Sequence, residues 1–261
     1  MSRDTLESEA RKVFWPRRRL RRSIYLLPTL FTVGNLFCGY YALTSTLAQN
    51  YGAAAIALGI AVVLDGLDGR VARMANATSD FGLQLDSLAD VVSFGIAPAI
   101  LLYSWGMAEL GEFAQFSAFL FLICGAMRLA RFNIQSSKLK SFAGLPIPAA
   151  AGLVASTVHF LQTPPDWPHF DALLASGTYL VSLLMISTIR YPSLKKLELG
   201  KGKSHLMVVI LALLIAGVIW YSRPVLLTIA YSYALSGPIL RLGQMVRRRR
   251  FQAKPQRTQD L

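Results

Sequence analysis

The apolar run AAAIALGIAVVL (Ala53–Leu64) passes directly into DGLDGRVARMANATSDFGLQLDSLAD (Asp65–Asp90), which passes into VVSFGIAPAILLYSW (Val91–Trp105). About 20 residues are needed to cross a bilayer as a helix, so the first run spans only if Asp65 and its neighbours continue the same helix. The run after Asp90 likewise carries Asp86 and Asp90 in its first half when a span is drawn over 82–104. At about 100° per residue, Asp65 and Asp68 project about 60° apart, and Asp86 and Asp90 about 40° apart. Each pair therefore occupies one helix face. A short connection near Met74–Phe81 returns the chain, which predicts two antiparallel helices with their acidic faces opposed.

Outward from that stretch the chain is apolar. Of 261 residues, 54% are hydrophobic and 16% charged, against about 25% charged in soluble domains. Together with a mean hydropathy of +0.44, this excludes a solvated single domain, a disordered chain and a disulfide scaffold. Apolar blocks between Gly, Pro and charge interruptions predict spans at 28–48, 52–74, 82–104, 113–132, 144–163, 170–189, 204–222 and 224–242. The expected fold is thus all-α, a polytopic membrane bundle of about eight transmembrane helices. A basic tail over 1–27 and another over 243–261 flank a transmembrane domain at 28–242.

The net charge of +13 fits the same topology. With both termini cytoplasmic, the two tails and the inner loops receive every Lys and Arg except Arg223, which is 26 of 27, as the positive-inside rule requires. Trp105, Trp167 and Trp220 then fall at outer helix ends, where an interfacial aromatic belt is expected. The location expected is the inner (plasma) membrane. The basic ends are expected to meet anionic lipid and not nucleic acid, because no binding motif accompanies them. Arg21-Arg22 precede an apolar stretch too long for a secretory leader, which is read as the first span. Cys38 and Cys124 are expected to pack as small apolar residues, and His159, His169 and His205 lack a metal-site spacing.

Four carboxylates converging in low dielectric repel each other unless cations are present. All-oxygen ligation suits Mg²⁺ or Mn²⁺, hard ions that commonly work with substrate phosphates. Gly66, Gly69, Ala72 and Gly82 lie on or beside the acidic faces, where their lack of bulk admits a highly charged group to the backbone. Arg73 is placed to pair with a phosphate or with an Asp. A cation-coupled transporter is the rival reading, but it leaves the Gly and Ala spacing unexplained.

Asp65, Asp68, Gly69, Ala72, Arg73, Gly82, Asp86 and Asp90 match, position by position, D-x2-D-G-x2-A-R-x8-G-x3-D-x3-D. This is the signature of the CDP-alcohol phosphatidyltransferases, which the chain resembles. That resemblance implies a six-helix membrane core in which an alcohol displaces CMP from a CDP-linked lipid. It further implies two divalent ions, Mg²⁺ or Mn²⁺, held on the diphosphate by Asp65, Asp68, Asp86 and Asp90, with Asp90 also the catalytic base. Gly69, Ala72, Arg73 and Gly82 would line the pocket for the CDP-lipid. The segments PTLFTVGNLFCGYYAL, DSLADVVSFGIAPA, RLARFN, GLPIPAAAG and RYPSLKK are similar to the bacterial membrane-type phosphatidylserine synthases of that family. The substrates so implied are CDP-diacylglycerol and L-serine, glycerol 3-phosphate being the alternative acceptor, and a homodimer is expected.

Serine differs from other acceptors in presenting a carboxylate beside its hydroxyl. Arg128 and Arg131, near the cytoplasmic end of the fourth span, are candidates to clamp it or a phosphate. Thr32 and Asn35 on the first span are candidates to hydrogen-bond the nucleotide, with interhelical bonding the competing role.

Overall fold

The computed structural model describes residues 17–74, 80–135, 144–189, 191, 216–218 and 220–252. The regular elements among the described residues are all helices, without strands: α1 (Arg17–Leu47), α2 (Tyr51–Met74), α3 (Asp80–Asp90), α4 (Ala97–Leu102), α5 (Glu112–Gln135), α6 (Ile147–Leu161), α7 (Phe170–Ile186) and α8 (Ser222–Gln252). α3 and α4 belong to one continuous span, Phe81–Leu110. Four helices are long and apolar enough to cross a membrane, Tyr51–Arg70, Phe81–Leu110, Glu112–Ile134 and Ser222–Gly243, and α6 and α7 are shorter apolar helices. Phe37, Val63, Phe116, Phe119, Leu180 and Leu183 are exposed around the outside, which suits a lipid solvent and not water. The chain is a polytopic helical membrane protein.

Seven of the expected spans coincide with described helices, and most of the remaining one, 204–222, lies outside the described residues. Two boundaries differ. α1 begins at Arg17, inside the stretch read as a basic tail, and α8 runs on to Gln252, past the expected end at 242. Arg and Leu are good helix formers, so both helices continue where hydropathy falls away.

The α1–α2 turn is set by Asn50, whose side-chain Oδ1 accepts the Ala53 N–H at 3.2 Å and so caps the start of α2. Small residues then allow close approach. Ala54, Ala57 and Ala61 of α2 and Ala150, Ala151 and Ala155 of α6 are buried in a common core, and α2 packs against both α1 and α6.

Directly after Asp90 the third span widens into a π-helical turn, Val91–Ile96, in which Ala97 N–H bonds to Val92 O. Pro98 accounts for it, because a proline has no N–H for the carbonyl four residues earlier and its ring crowds that carbonyl. The wide turn also brings Ser93 against Gly39 of α1. A Cβ on Gly39 would lie 2.8 Å from Ser93 Cα. Gly39→Ala should therefore cost about 1–3 kcal/mol as overpacking, checked as a lower unfolding temperature in detergent; an unchanged midpoint would show that the two helices separate freely.

Toward the end of the third span, Trp105 departs from the expected belt. It is 2% exposed, its Nε1–H donates to Gln162 O at 3.2 Å, and its ring meets Phe170 edge-on. The loop between α6 and α7 covers it, whereas Trp167 and Trp220 are exposed. At the other end Gly144, with φ +87° and no room for a Cβ beside Met185 O, donates its N–H to Ile189 O at 2.9 Å. This ties the start of α6 to the end of α7. α8 lies antiparallel on α6, as the pairs His159 Nε2 with Ser222 Oγ and Thr157 Oγ1 with Tyr231 OH show, both at 3.2 Å.

Candidate active site

α2 and α3 supply the acidic residues from two antiparallel helices, as their spacing predicts. Asp65, Asp68 and Asp86 each place a carboxylate oxygen within 4.8 Å of the others. Asp68 is buried and Asp65 and Asp86 are half-buried. The Asp68 and Asp86 carboxyls are near enough to hydrogen-bond each other. Asp86 Oδ1 is buried without a hydrogen-bond partner among the described residues. A buried carboxylate oxygen left unsatisfied beside two more carboxylates is a costly arrangement for the protein alone. It fits a hard divalent cation, for which oxygen ligands converging from different elements are the ordinary donor set.

α1 supports this cluster from behind. Thr32 Oγ1–H donates to Asp68 Oδ2 at 3.3 Å, and Asn35 Nδ2–H donates to Asp90 Oδ1 at 3.4 Å. Both side chains are buried, so on this chain they bond to carboxylates across the helix interface. Asp90 is buried and lies outside the three-carboxylate group. Its carboxyl is aligned by Asn35, whose own backbone carbonyl accepts the Ser93 hydroxyl at 3.0 Å. Ser93 was not singled out from the sequence. Its signal is weak, a lone hydroxyl in the run VVSFG, and its partner is set by the π turn.

A Cβ on Gly66 or on Gly69 would meet nothing within 4 Å, so the face beside Asp65 and Asp68 has the open space a ligand needs. Gly82 lies on α3, one turn before Asp86. Ala72 and Arg73 fall in the last turn of α2, where their side chains lie outside the described residues.

The two candidate arginines part company. Arg128 lies within electrostatic reach of Asp65 and Asp90, and its guanidinium lies 5.9 Å from the centroid of the Phe132 ring. Arg131 turns instead to α7, donating from Nη1 to Ile186 O at 3.2 Å. It thereby satisfies a carbonyl at the helix end, where a cation is favoured. Asn133 donates to Ser87 Oγ at 2.8 Å, joining α5 to α3 beside Asp86.

This constellation can hold a divalent ion between α2 and α3, keep one carboxyl apart from it as a base, and offer a cation to an anionic substrate. The sequence profile of the CDP-alcohol phosphatidyltransferase family matches residues 25–189, which contain all of these residues. The chain is 40% identical over 198 residues to a Helicobacter pylori protein named CDP-diacylglycerol–serine O-phosphatidyltransferase, covering 73% of this chain and 81% of that one. A Bacillus subtilis protein of the same name is 41% identical over 170 residues, covering 65% and 92%. An archaetidylserine synthase of Methanothermobacter thermautotrophicus is 39% identical over 176 residues, covering 65% and 71%. By profile, by identity and by the arrangement of its acidic residues, the chain belongs to the CDP-alcohol phosphatidyltransferase family.

Proposed function

We propose that the chain transfers the phosphatidyl group of CDP-diacylglycerol to the hydroxyl of L-serine, forming phosphatidylserine and CMP. The observation that carries the reaction type is the convergence of Asp65, Asp68 and Asp86 with Asp90 held separately by Asn35. Serine is supported by the names of the relatives, which have the seryl head group in common while their lipids differ. The active site faces the cytoplasm of the inner (plasma) membrane, since that orientation keeps 26 of the 27 basic residues inside.

Asp65, Asp68 and Asp86 would hold the divalent ions, Mg²⁺ or Mn²⁺, with Asp90 the fourth carboxylate of the set. When bound, such ions neutralise the diphosphate and the departing CMP. The remaining roles belong to the chain. Serine is a poor nucleophile at neutral pH, so Asp90 accepts the hydroxyl proton as the oxygen attacks the lipid-side phosphorus. Asn35 donates to Oδ1 of Asp90 and so fixes how its carboxyl is presented. Thr32 orients Asp68 in the same way. Gly66 and Gly69 leave room for the diphosphate, and the family signature gives Gly82, Ala72 and Arg73 to the same CDP-lipid pocket. Arg128 is the cation for the serine carboxylate, whereas the bond from Arg131 to Ile186 O favours a structural role for that residue.

Purified protein in detergent, given CDP-diacylglycerol and Mn²⁺ or Mg²⁺, should incorporate labelled L-serine and release equimolar CMP, with glycerol 3-phosphate and inositol phosphate inert. Reaction with another alcohol and none with serine would overturn the acceptor assignment. CMP release that does not depend on any alcohol would overturn the transfer itself.

A further inference from the structure

The last helix, α8, lies beyond the residues matched by the family profile, 25–189, yet it is anchored beside the site. Tyr191 OH donates to Ala234 O at 3.1 Å, and the Tyr191 ring packs 5.8 Å from that of Tyr233. A Cβ on Gly237 would lie 2.5 Å from the Tyr191 ring, so only glycine lets α8 approach this closely. Tyr233 is thereby held half-buried against the core. Its hydroxyl and the Arg128 guanidinium are within electrostatic reach of each other. Arg128 Nε is buried and has no hydrogen-bond partner among the described residues. Arg128 is thus within electrostatic reach of both carboxylates of the acidic site and the Tyr233 phenol, with its Nε donor unused. A carboxylate is the complementary group, because it accepts from a guanidinium and a hydroxyl together and repays the buried cation electrostatically.

We propose that Tyr233 is a specificity residue of the acceptor pocket, its hydroxyl and the Arg128 guanidinium together binding the carboxylate of the amino-acid acceptor. This rests on serine being the acceptor and assigns the last span a part in recognising it. In that arrangement one end of serine is held at α5 and α8, and its hydroxyl is left to turn toward Asp90.

The test compares L-serine with serinamide, which keeps the hydroxyl and amine but lacks the carboxylate, in the full-length protein and in Tyr233→Phe. Loss of one hydrogen bond to a charged group should raise the KM for L-serine about tenfold or more. The KM for CDP-diacylglycerol and kcat should stay within about twofold, and the preference for L-serine over serinamide should narrow. That preference is a ratio, so it does not depend on how much of a preparation is folded. Tyr191→Phe removes the bond to Ala234 that anchors the same helix but leaves Tyr233 intact, and should keep the parent preference. An unchanged serine KM in Tyr233→Phe, a rise matched by that for the lipid, or an equal loss of preference in Tyr191→Phe would each overturn the proposal. A parent protein that uses glycerol 3-phosphate and not serine fails earlier, in the acceptor assignment, and takes this carboxylate site with it.

Discussion

Asp90→Asn is expected to lower kcat about 10³-fold at saturating metal and lipid, within the 10²–10⁴ that a general base contributes. The substitution is isosteric and keeps an oxygen to accept the bond from Asn35 Nδ2, so the packing between α1 and α3 should survive. What disappears is the capacity to take a proton. If Asp90 acted chiefly as a metal ligand, excess Mn²⁺ would restore turnover; as a base it leaves turnover low at every metal concentration. A variant within about tenfold of the parent would remove Asp90 from the proton-transfer role.

The second large effect is expected at Asp68. It is 5% exposed, it belongs to the three-carboxylate group, and Thr32 fixes its orientation. Asp68→Asn keeps the shape and removes the charge. Losing a carboxylate ligand should forfeit several kcal/mol of charge stabilisation, or about 10²–10³-fold in kcat/KM at fixed metal. In contrast to Asp90→Asn, the metal titration itself should shift, with half-maximal activity needing much more Mn²⁺ than the parent protein. Chelation should silence the parent, and added Mn²⁺ or Mg²⁺ should restore it. Activity that persists through chelation, or an Asp68→Asn titration superimposed on that of the parent, would contradict a metal role for the cluster.

Much of this site was legible because its chemistry is local. Asp65 with Asp68, and Asp86 with Asp90, lie within one helical turn of each other, so their faces follow from the helical repeat alone. An acid inside a membrane span also demands explanation wherever it falls. For Thr32 and Asn35 interhelical bonding was the competing role, but Asp68 and Asp90 as partners do not follow from the sequence, since a polar residue on a membrane helix bonds whichever neighbour packing presents. Arg128 and Arg131 are three positions apart and occupy nearly the same face. Their surroundings diverge because Ile186 O accepts from Arg131, while Arg128 lies within electrostatic reach of Asp65 and Asp90.

The features that were not legible depend on long-range placement. Trp105 stands at a helix end like Trp167 and Trp220, and only the loop through Gln162 and Phe170 decides that it is buried. The π turn after Asp90 breaks the 3.6-residue repeat, so the inward face of Val91–Ile96 does not follow from counting. Tyr233 lies in an apolar helix more than a hundred residues from Arg128, and no spacing rule links the two.

The central claim is that the serine hydroxyl oxygen forms the new bond to the lipid-side phosphorus. It is tested most directly with L-serine labelled with oxygen-18 in its hydroxyl, supplied with CDP-diacylglycerol to the purified protein, and analysis of both products by mass spectrometry. The account predicts that the label is retained in phosphatidylserine and that CMP, released in equal amount, carries none. Label in CMP, or CMP formed without labelled phosphatidylserine, would contradict it.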